Sequence, residues 1–92
     1  MKITRGSDVE IEFQINDGAG SPFPVTEVVM MDQSPQLNGR LTINNLAFDL
    51  GYLSVSLEGT NPLPVGRYSF RWQATLLTGD TLGSPEIFVN VV

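Results

Sequence analysis

A row of carboxylates near the start of the chain offers the most obvious chemistry. Asp8, Glu10 and Glu12 recur at every second position, so on a β-strand they lie on one face at spacings of about 6.5–7 Å. A calcium site would need oxygens that converge from a loop, and the Asn-Asp-Gly run at 16–18 is only a fragment of such a loop. A catalytic pair would need a cleft and opposed pKa values. We interpret the row as a solvated strand face.

Other reactive side chains are scarce. The chain contains neither Cys nor His, which excludes disulfides, thiolate nucleophiles, Cys/His zinc sites and imidazole-based catalysis. We therefore expect no enzyme, no metal or other cofactor and no small-molecule substrate. Five Lys and Arg against ten Asp and Glu give a net charge of −5. This charge argues against nucleic acid or an anionic membrane as a partner, because both require a basic face.

Aromatic side chains are concentrated in the segment 67–77. Tyr68, Phe70 and Trp72 alternate with polar residues, which is typical of a strand with one face in the core. A sugar-binding platform would instead require exposed aromatics on a flat surface, so the core interpretation is favoured. Tyr68 follows Gly66 by two residues. This spacing is similar to a tyrosine corner, in which the phenol bonds back to a crossing loop.

Three residues are candidates for a protein interface. Arg71 is expected to face outward if Tyr68 and its alternate neighbours face inward. The run 28–31, Val-Val-Met-Met, does not alternate, so either Val29 or Met30 points outward or both faces of the strand are covered. On the last predicted strand, Ile87, Val89 and Val91 are expected to face inward, so Phe88 is expected to face outward. We predict an interface centred on Met30, Arg71 and Phe88, which are residue types that interfaces favour.

The elements that must position these residues are short strands. Alternation of apolar and polar residues is clearest at 8–15, 67–77 and 86–92. We expect 78–85 to form the loop of a hairpin between the last two strands, and Asn38-Gly39 to form a tight type I′ turn. A helical turn is expected only within 44–50. About seven strands are predicted, starting near residues 3, 9, 26, 40, 52, 67 and 86.

The length of the chain and its glycine and proline content then predict the fold. Ninety-two residues with nine Gly and six Pro are enough for one domain, 1–92, with a single core. We predict an all-β fold, an immunoglobulin-like antiparallel β-sandwich, with a small closed barrel as the alternative. The centre of its core is expected to be formed by Ile11, Phe13, Tyr68, Phe70, Trp72, Ile87 and Val89.

Both ends of the chain resemble a known family. The segment 3–8 (Ile-Thr-Arg-Gly-Ser-Asp), with the alternating strand and Asp17-Gly18 that follow it, resembles the start of the N-terminal domain of phage baseplate upper proteins. The segment 63–74 is similar to that family's Leu-Pro-x-Gly-x-Tyr motif, and 86–91 is similar to its last strand. The resemblance implies a small β-sandwich adaptor of the virion, with no catalytic residues to carry over.

These observations lead to a functional expectation. We expect a phage virion structural module, a baseplate or tail-fibre adaptor made in the host cytoplasm, that acts through contacts with other tail proteins or with a copy of itself. Residues 1–6 lack the apolar stretch of a signal peptide. The alternative is a cell-surface or secreted immunoglobulin-like binding module, with glycans as a candidate ligand. An export signal in the full gene would favour this alternative.

Overall fold

Strands form nearly all of the regular structure. The computed structural model describes residues 1–59 and 63–92, and the all-β fold class is confirmed in that part of the chain. Two short 3₁₀ turns cover Pro35–Leu37 and Phe48–Leu50. The strands are β1 (Lys2–Ile3), β2 (Val9–Gln14), β3 (Val25–Gln33), β4 (Leu41–Ala47), β5 (Tyr52–Leu57), β6 (Gly66–Leu76), β7 (Thr81–Gly83) and β8 (Ile87–Val91).

The strands are divided between two sheets. In the first, sheet A, the order is β1-β8-β6-β3, and β7 also pairs with β6. In the second, sheet B, the order is β2-β5-β4. All these pairs are antiparallel except that of β1 with β8, which is parallel. Sheet B is therefore a three-stranded layer with β5 at its centre, and β6 is the central strand of sheet A.

The inner faces of the two sheets form one hydrophobic core. Along β6, Tyr68, Phe70, Trp72 and Ala74 are buried, and the residues between them are not. The ring of Phe13 in sheet B meets the indole of Trp72 in sheet A edge to face, with centroids 5.5 Å apart. This contact joins the two layers, since each ring belongs to a different sheet.

The predicted core centre is only partly correct. Tyr68, Phe70, Trp72 and Val89 are buried as expected. Ile11, Phe13 and Ile87 are half-buried and pack against the core from its margin, in the case of the first two because β2 is an edge strand. Residues that the sequence did not single out take the centre: Leu37, Leu53 and Val55 are at most 1% exposed.

The expected loop at 78–85 contains a strand. β7 pairs with β6 at Gln73–Thr75 on the side opposite β3, and β8 pairs with β6 farther along. Between them Ser84 continues the ladder: its N–H donates to the Trp72 carbonyl at 2.8 Å, and its Oγ accepts the Trp72 N–H at 2.9 Å. The turn is therefore much tighter than predicted, with Leu76 N–H bonded to the Asp80 carbonyl.

Two local predictions have different outcomes. The phenol of Tyr68 donates to the carbonyl of Pro64 at 2.6 Å, which confirms the bond expected of a tyrosine corner. The crossing loop itself includes residues 60–62, which lie outside the described residues.

The prediction of a type I′ turn at Asn38-Gly39 is wrong, because Asn38 has a φ of −58° and only Gly39 is left-handed, with a φ of 76°. This turn follows a 3₁₀ turn and does not close a hairpin.

Candidate interaction surface

The outer face of sheet A is built by the outward residues of β8, β6 and β3. On β6 these are Arg67, Ser69, Arg71 and Gln73, which alternate with the buried residues. Phe88 lies opposite Ser69 in the neighbouring strand β8. The sequence prediction that Arg71 and Phe88 face outward agrees with this placement, while their role in an interface stays a prediction.

Arg67 and Phe88 form a stacked pair on this face. The guanidinium carbon of Arg67 lies 3.9 Å from the centroid of the Phe88 ring, which is the geometry of a cation–π contact worth about 0.5–1 kcal/mol at an exposed site. Phe88 is 37% exposed despite this cover. The cross-strand neighbour of Arg67 is the amide Asn90 and not a carboxylate, so its charge has no acidic partner across the strand.

The placement of Met30 on the outer face is wrong. Met30 lies opposite Trp72 and packs against the core. The register of β3 shifts between Met30 and Asp32, so a β-bulge inserts an extra residue there. The exposed apolar residues of this strand are Val29 and Met31, at 44% and 51% exposure, and the acids Glu27 and Asp32 are exposed beside them.

Met31 and Arg71 lie together at Gly83. A Cβ added to Gly83 would be 3.9 Å from the Met31 sulfur and 4.0 Å from a terminal nitrogen of Arg71. The missing side chain of Gly83 therefore leaves these two groups accessible. The Arg71 side chain is hydrogen-bonded to the backbone, because its Nε donates to the Ser84 carbonyl at 3.4 Å. We call the surface formed by these outward residues the docking face; it comprises Val29, Met31, Arg67, Arg71, Phe88 and Val92.

The carboxylate row lies on the other side of the molecule. Glu10 and Glu12 are exposed on the outer face of sheet B, opposite Ser56 and Ser54 of β5. Asp8 precedes β2, and its Oδ1 accepts the Gly59 N–H at 2.7 Å. Within residues 1–59 and 63–92, no group of three acidic, His or Cys residues is arranged to hold a metal ion.

Beside these acids, Asn44 bridges two serine hydroxyls of β5, of which Ser54 is fully buried. Asn44 Nδ2 donates to Ser54 Oγ at 3.0 Å and to Ser56 Oγ at 2.8 Å. Tyr52 continues the face and is 40% exposed. Near Glu10 the surface forms a depression of about 460 Å³, lined by Asp8, Val9, Glu10, Arg40, Thr42, Ser56, Leu57 and Glu58. Sequence reasoning missed this depression, because its walls come from three separate segments of the chain, 8–10, 40–42 and 56–58.

Trp72 does not provide a sugar-binding platform. Its side chain is only 5% exposed and lies between the sheets. Among the described strands, exposed aromatic side chains are those of Phe88 on sheet A and Tyr52 on sheet B, and Phe23 is exposed in the segment before β3. Phe88 and Tyr52 belong to different sheets, so they do not form one stacking surface.

Comparison with known proteins adds no relative. No family model matches the chain, and neither a curated protein nor a solved structure matches it significantly. None of the helical turns in the described ranges is long and apolar enough to cross a membrane.

Proposed function

We propose that this chain is a non-enzymatic docking module of a phage particle, and that it binds another virion protein through the docking face. The observation that carries the proposal is the composition of that face. Met31, Phe88 and Arg67 are exposed. Arg67 stacks on Phe88, and the half-buried Arg71 lies with Met31 at Gly83. Met, aromatic residues and Arg are enriched at protein interfaces, where they supply most of the binding energy.

The strand order supports an immunoglobulin-type sandwich as the scaffold. In that topology the third, sixth and last strands share one sheet, and the second, fourth and fifth share the other. Here β3, β6 and β8 lie in sheet A, and β2, β5 and β4 lie in sheet B. If β7 and β8 are regarded as one strand interrupted at Ser84, the chain has seven strands. β1 departs from the pattern, because it pairs with β8 in sheet A, whereas the first strand of this fold belongs to the other sheet.

The assignment to a phage particle rests on the segments at the two ends of the chain that resemble baseplate upper proteins. Mass spectrometry of purified particles of the source phage tests it directly. We expect peptides of this chain at a copy number comparable to that of the tail proteins. Absence from the particles, with recovery in a cell-surface fraction, would support the alternative binding module.

The role of the docking face is tested by Phe88→Glu. Phe88 is exposed on an outer face, so the variant should fold, and the loss of the ring should remove the Arg67 stack and part of the apolar surface beside it. We expect a phage that carries this substitution to lose the chain from its particles, as measured by mass spectrometry. Leu77→Glu is the matched control, because Leu77 is 69% exposed in the turn beyond β6.

Two results would contradict the role of the docking face. Normal incorporation of Phe88→Glu would show that the face is not used. Loss of the folded state, seen as loss of the Trp72 fluorescence of the native protein, would place Phe88 in the core.

A further inference from the structure

Strand β2 lies at an edge of sheet B. In the part of the chain that the structure describes, it pairs with β5 alone. Its residues keep a continuous register with β5, from Val9 opposite Leu57 to Gln14 opposite Tyr52. One side of β2 therefore presents a regular row of backbone N–H and C=O groups that no described strand pairs with.

The other sheet edges are short or irregular, which is how natural proteins prevent unwanted strand pairing. Strands β1 and β7 have two and three residues. The register of β3 shifts twice along β6, and that of β4 shifts once along β5. The six residues of β2 contain no such shift, no proline and no lysine. This edge is therefore able to accept a further strand.

Glu10 and Glu12 present both their backbone groups and their side chains at this edge. The Ile15 N–H donates to the Gly51 carbonyl at 2.9 Å and continues the pairing of β2 with β5. Because the bonds of an antiparallel ladder alternate along each strand, the odd-numbered residues of β2 bond to β5. The N–H and C=O groups of Glu10 and Glu12 then point away from the sheet, and their side chains are exposed on its outer face.

The core is incompletely covered beside the same edge. Ile11 and Phe13 point inward from β2 and are half-buried. In sheet A, Ile87 of β8 is also half-buried and packs against the core. Strand β4 lies near β3, so β2, at the other edge of sheet B, lies toward the β8 side of sheet A. A strand added beside β2 would extend sheet B over this margin and bury its apolar side chains.

We propose that the edge of β2 binds an extended segment of a partner protein as an additional strand of sheet B. The segment has apolar residues at alternate positions, on the side of Ile11 and Phe13, and Lys or Arg between them, on the side of Glu10 and Glu12. The period of two in a strand imposes this alternation. Backbone hydrogen bonds supply the affinity, and the side chains supply the specificity. This site goes beyond the proposed function, because the docking face belongs to sheet A.

The charges at the edge favour a basic segment and disfavour a second copy of β2. The residues of β5 that face Glu10 and Glu12 are uncharged serines. Arg40, which lines the depression beside Glu10, precedes β4 on the far side of β5, and three acids line the same depression. Two copies of β2 paired antiparallel about the centre of the strand would place Glu10 opposite Glu12 twice, and like charges directly opposite each other are destabilising.

Binding is tested with a fluorescein-labelled peptide of alternating lysine and valine, as long as β2, by fluorescence anisotropy at low salt. The control peptide has glutamate in place of lysine. We expect the lysine peptide to bind and the glutamate peptide to stay free up to millimolar protein. Glu10→Gln and Glu12→Gln should each weaken binding by about 1.5–5-fold, as expected for one cross-strand charge pair. Glu27→Gln is the matched control on sheet A and should bind like the wild type.

Amide hydrogen exchange measured by NMR locates the bound peptide. In the free protein, the N–H groups of Glu10 and Glu12 should exchange faster than those of Ile11 and Phe13, which bond to β5. Saturation with the lysine peptide should slow exchange at Glu10 and Glu12. Phe88→Glu alters only the docking face and should bind the peptide like the wild type, so this proposal and the proposed function can fail separately.

Four results would overturn the strand-addition site. Three of them concern the peptides: no binding of the lysine peptide, equal binding of both peptides, or slowed exchange on sheet A in place of β2. The fourth is slow exchange at Glu10 and Glu12 without peptide that becomes slower as the protein concentration rises. That result would show that a second copy of the chain occupies the edge.

Discussion

The indole of Trp72 lies between the sheets, and its Nε1–H finds no acceptor among the described residues. Trp72→Ala should lower the free energy of unfolding by about 3–5 kcal/mol, as for other buried aromatics. Trp72→Phe should cost less, because a benzyl ring keeps the contact with Phe13 and removes a buried donor whose lack of a partner costs about 1–3 kcal/mol. Urea unfolding followed by far-UV circular dichroism measures both. Equal losses for the two variants would contradict this account.

Asp17 makes the turn after β2 sensitive to acid. Its Oδ1 accepts the N–H groups of Ala19 at 2.8 Å and Ser21 at 3.1 Å. These bonds, that from Ala19 above all, lower the pKa of Asp17 below its usual value of 3.8. A lowered pKa in the folded state means that the carboxylate stabilises the fold above pH 3.8, and that this contribution is lost as the pH falls through the folded value.

The pH dependence can be measured at the carboxyl group itself. An NMR titration of the side-chain carboxyl carbon should give a midpoint below 3.8 for Asp17 in the folded protein. Asp17→Asn keeps an acceptor oxygen but does not titrate, so it should remove this part of the acid sensitivity. A midpoint at or above the usual value would show that the two N–H bonds do not hold in solution.

At the scale of elements, Gly51 fixes how the Phe48–Leu50 turn meets the end of β2. Gly51 has a φ of 76°, and a Cβ there would overlap the Ile15 carbonyl oxygen. Gly39 has the same φ, but a Cβ added there would have no other heavy atom within 4 Å. Alanine at either position pays about 1–2 kcal/mol for the left-handed backbone, so Gly51→Ala should destabilise the protein by clearly more than Gly39→Ala. Chemical denaturation compares them, and equal losses would show that the close approach has no energetic effect.

Strands with strict alternation were predictable from the sequence, and strands that depend on irregular pairing were not. β2 and β6 alternate without interruption, so their inner and outer residues follow from the period of two. In β3 four consecutive residues are apolar, and a bulge decides that Met30 faces inward and Met31 outward. The sequence predicts a loop at 78–85 because this segment contains Gly79, Asp80 and Gly83, but residues 81–83 form a strand because β6 supplies a partner for them.

At the scale of the molecule, the candidate site was only partly predictable. Arg71 and Phe88 could be placed on an outer face because each belongs to an alternating strand. The stack of Arg67 on Phe88 could not, since it joins residues 21 positions apart and depends on the register of β6 with β8.

The two sheets should unfold together, because they share one core. Leu53 is fully buried in sheet B and lies opposite Phe13, whose ring meets Trp72 of sheet A. Leu53→Ala should remove about 2–5 kcal/mol, and each kcal/mol lowers the Tm of a domain this small by about 4–8 °C. Trp72 is the only tryptophan, so its fluorescence reports on sheet A although the substitution is in sheet B.

Thermal unfolding of Leu53→Ala should therefore show the fluorescence and far-UV circular dichroism transitions at the same lowered Tm. Leu46→Ala is the matched control, because it is the same substitution in the neighbouring strand β4, at a leucine that is 45% exposed. This control should shift both transitions far less. A fluorescence transition that stays at the wild-type temperature while the circular dichroism transition falls would mean that the sheets unfold separately. The prediction of a single domain over 1–92 would then be wrong, because one core requires one cooperative transition in both layers.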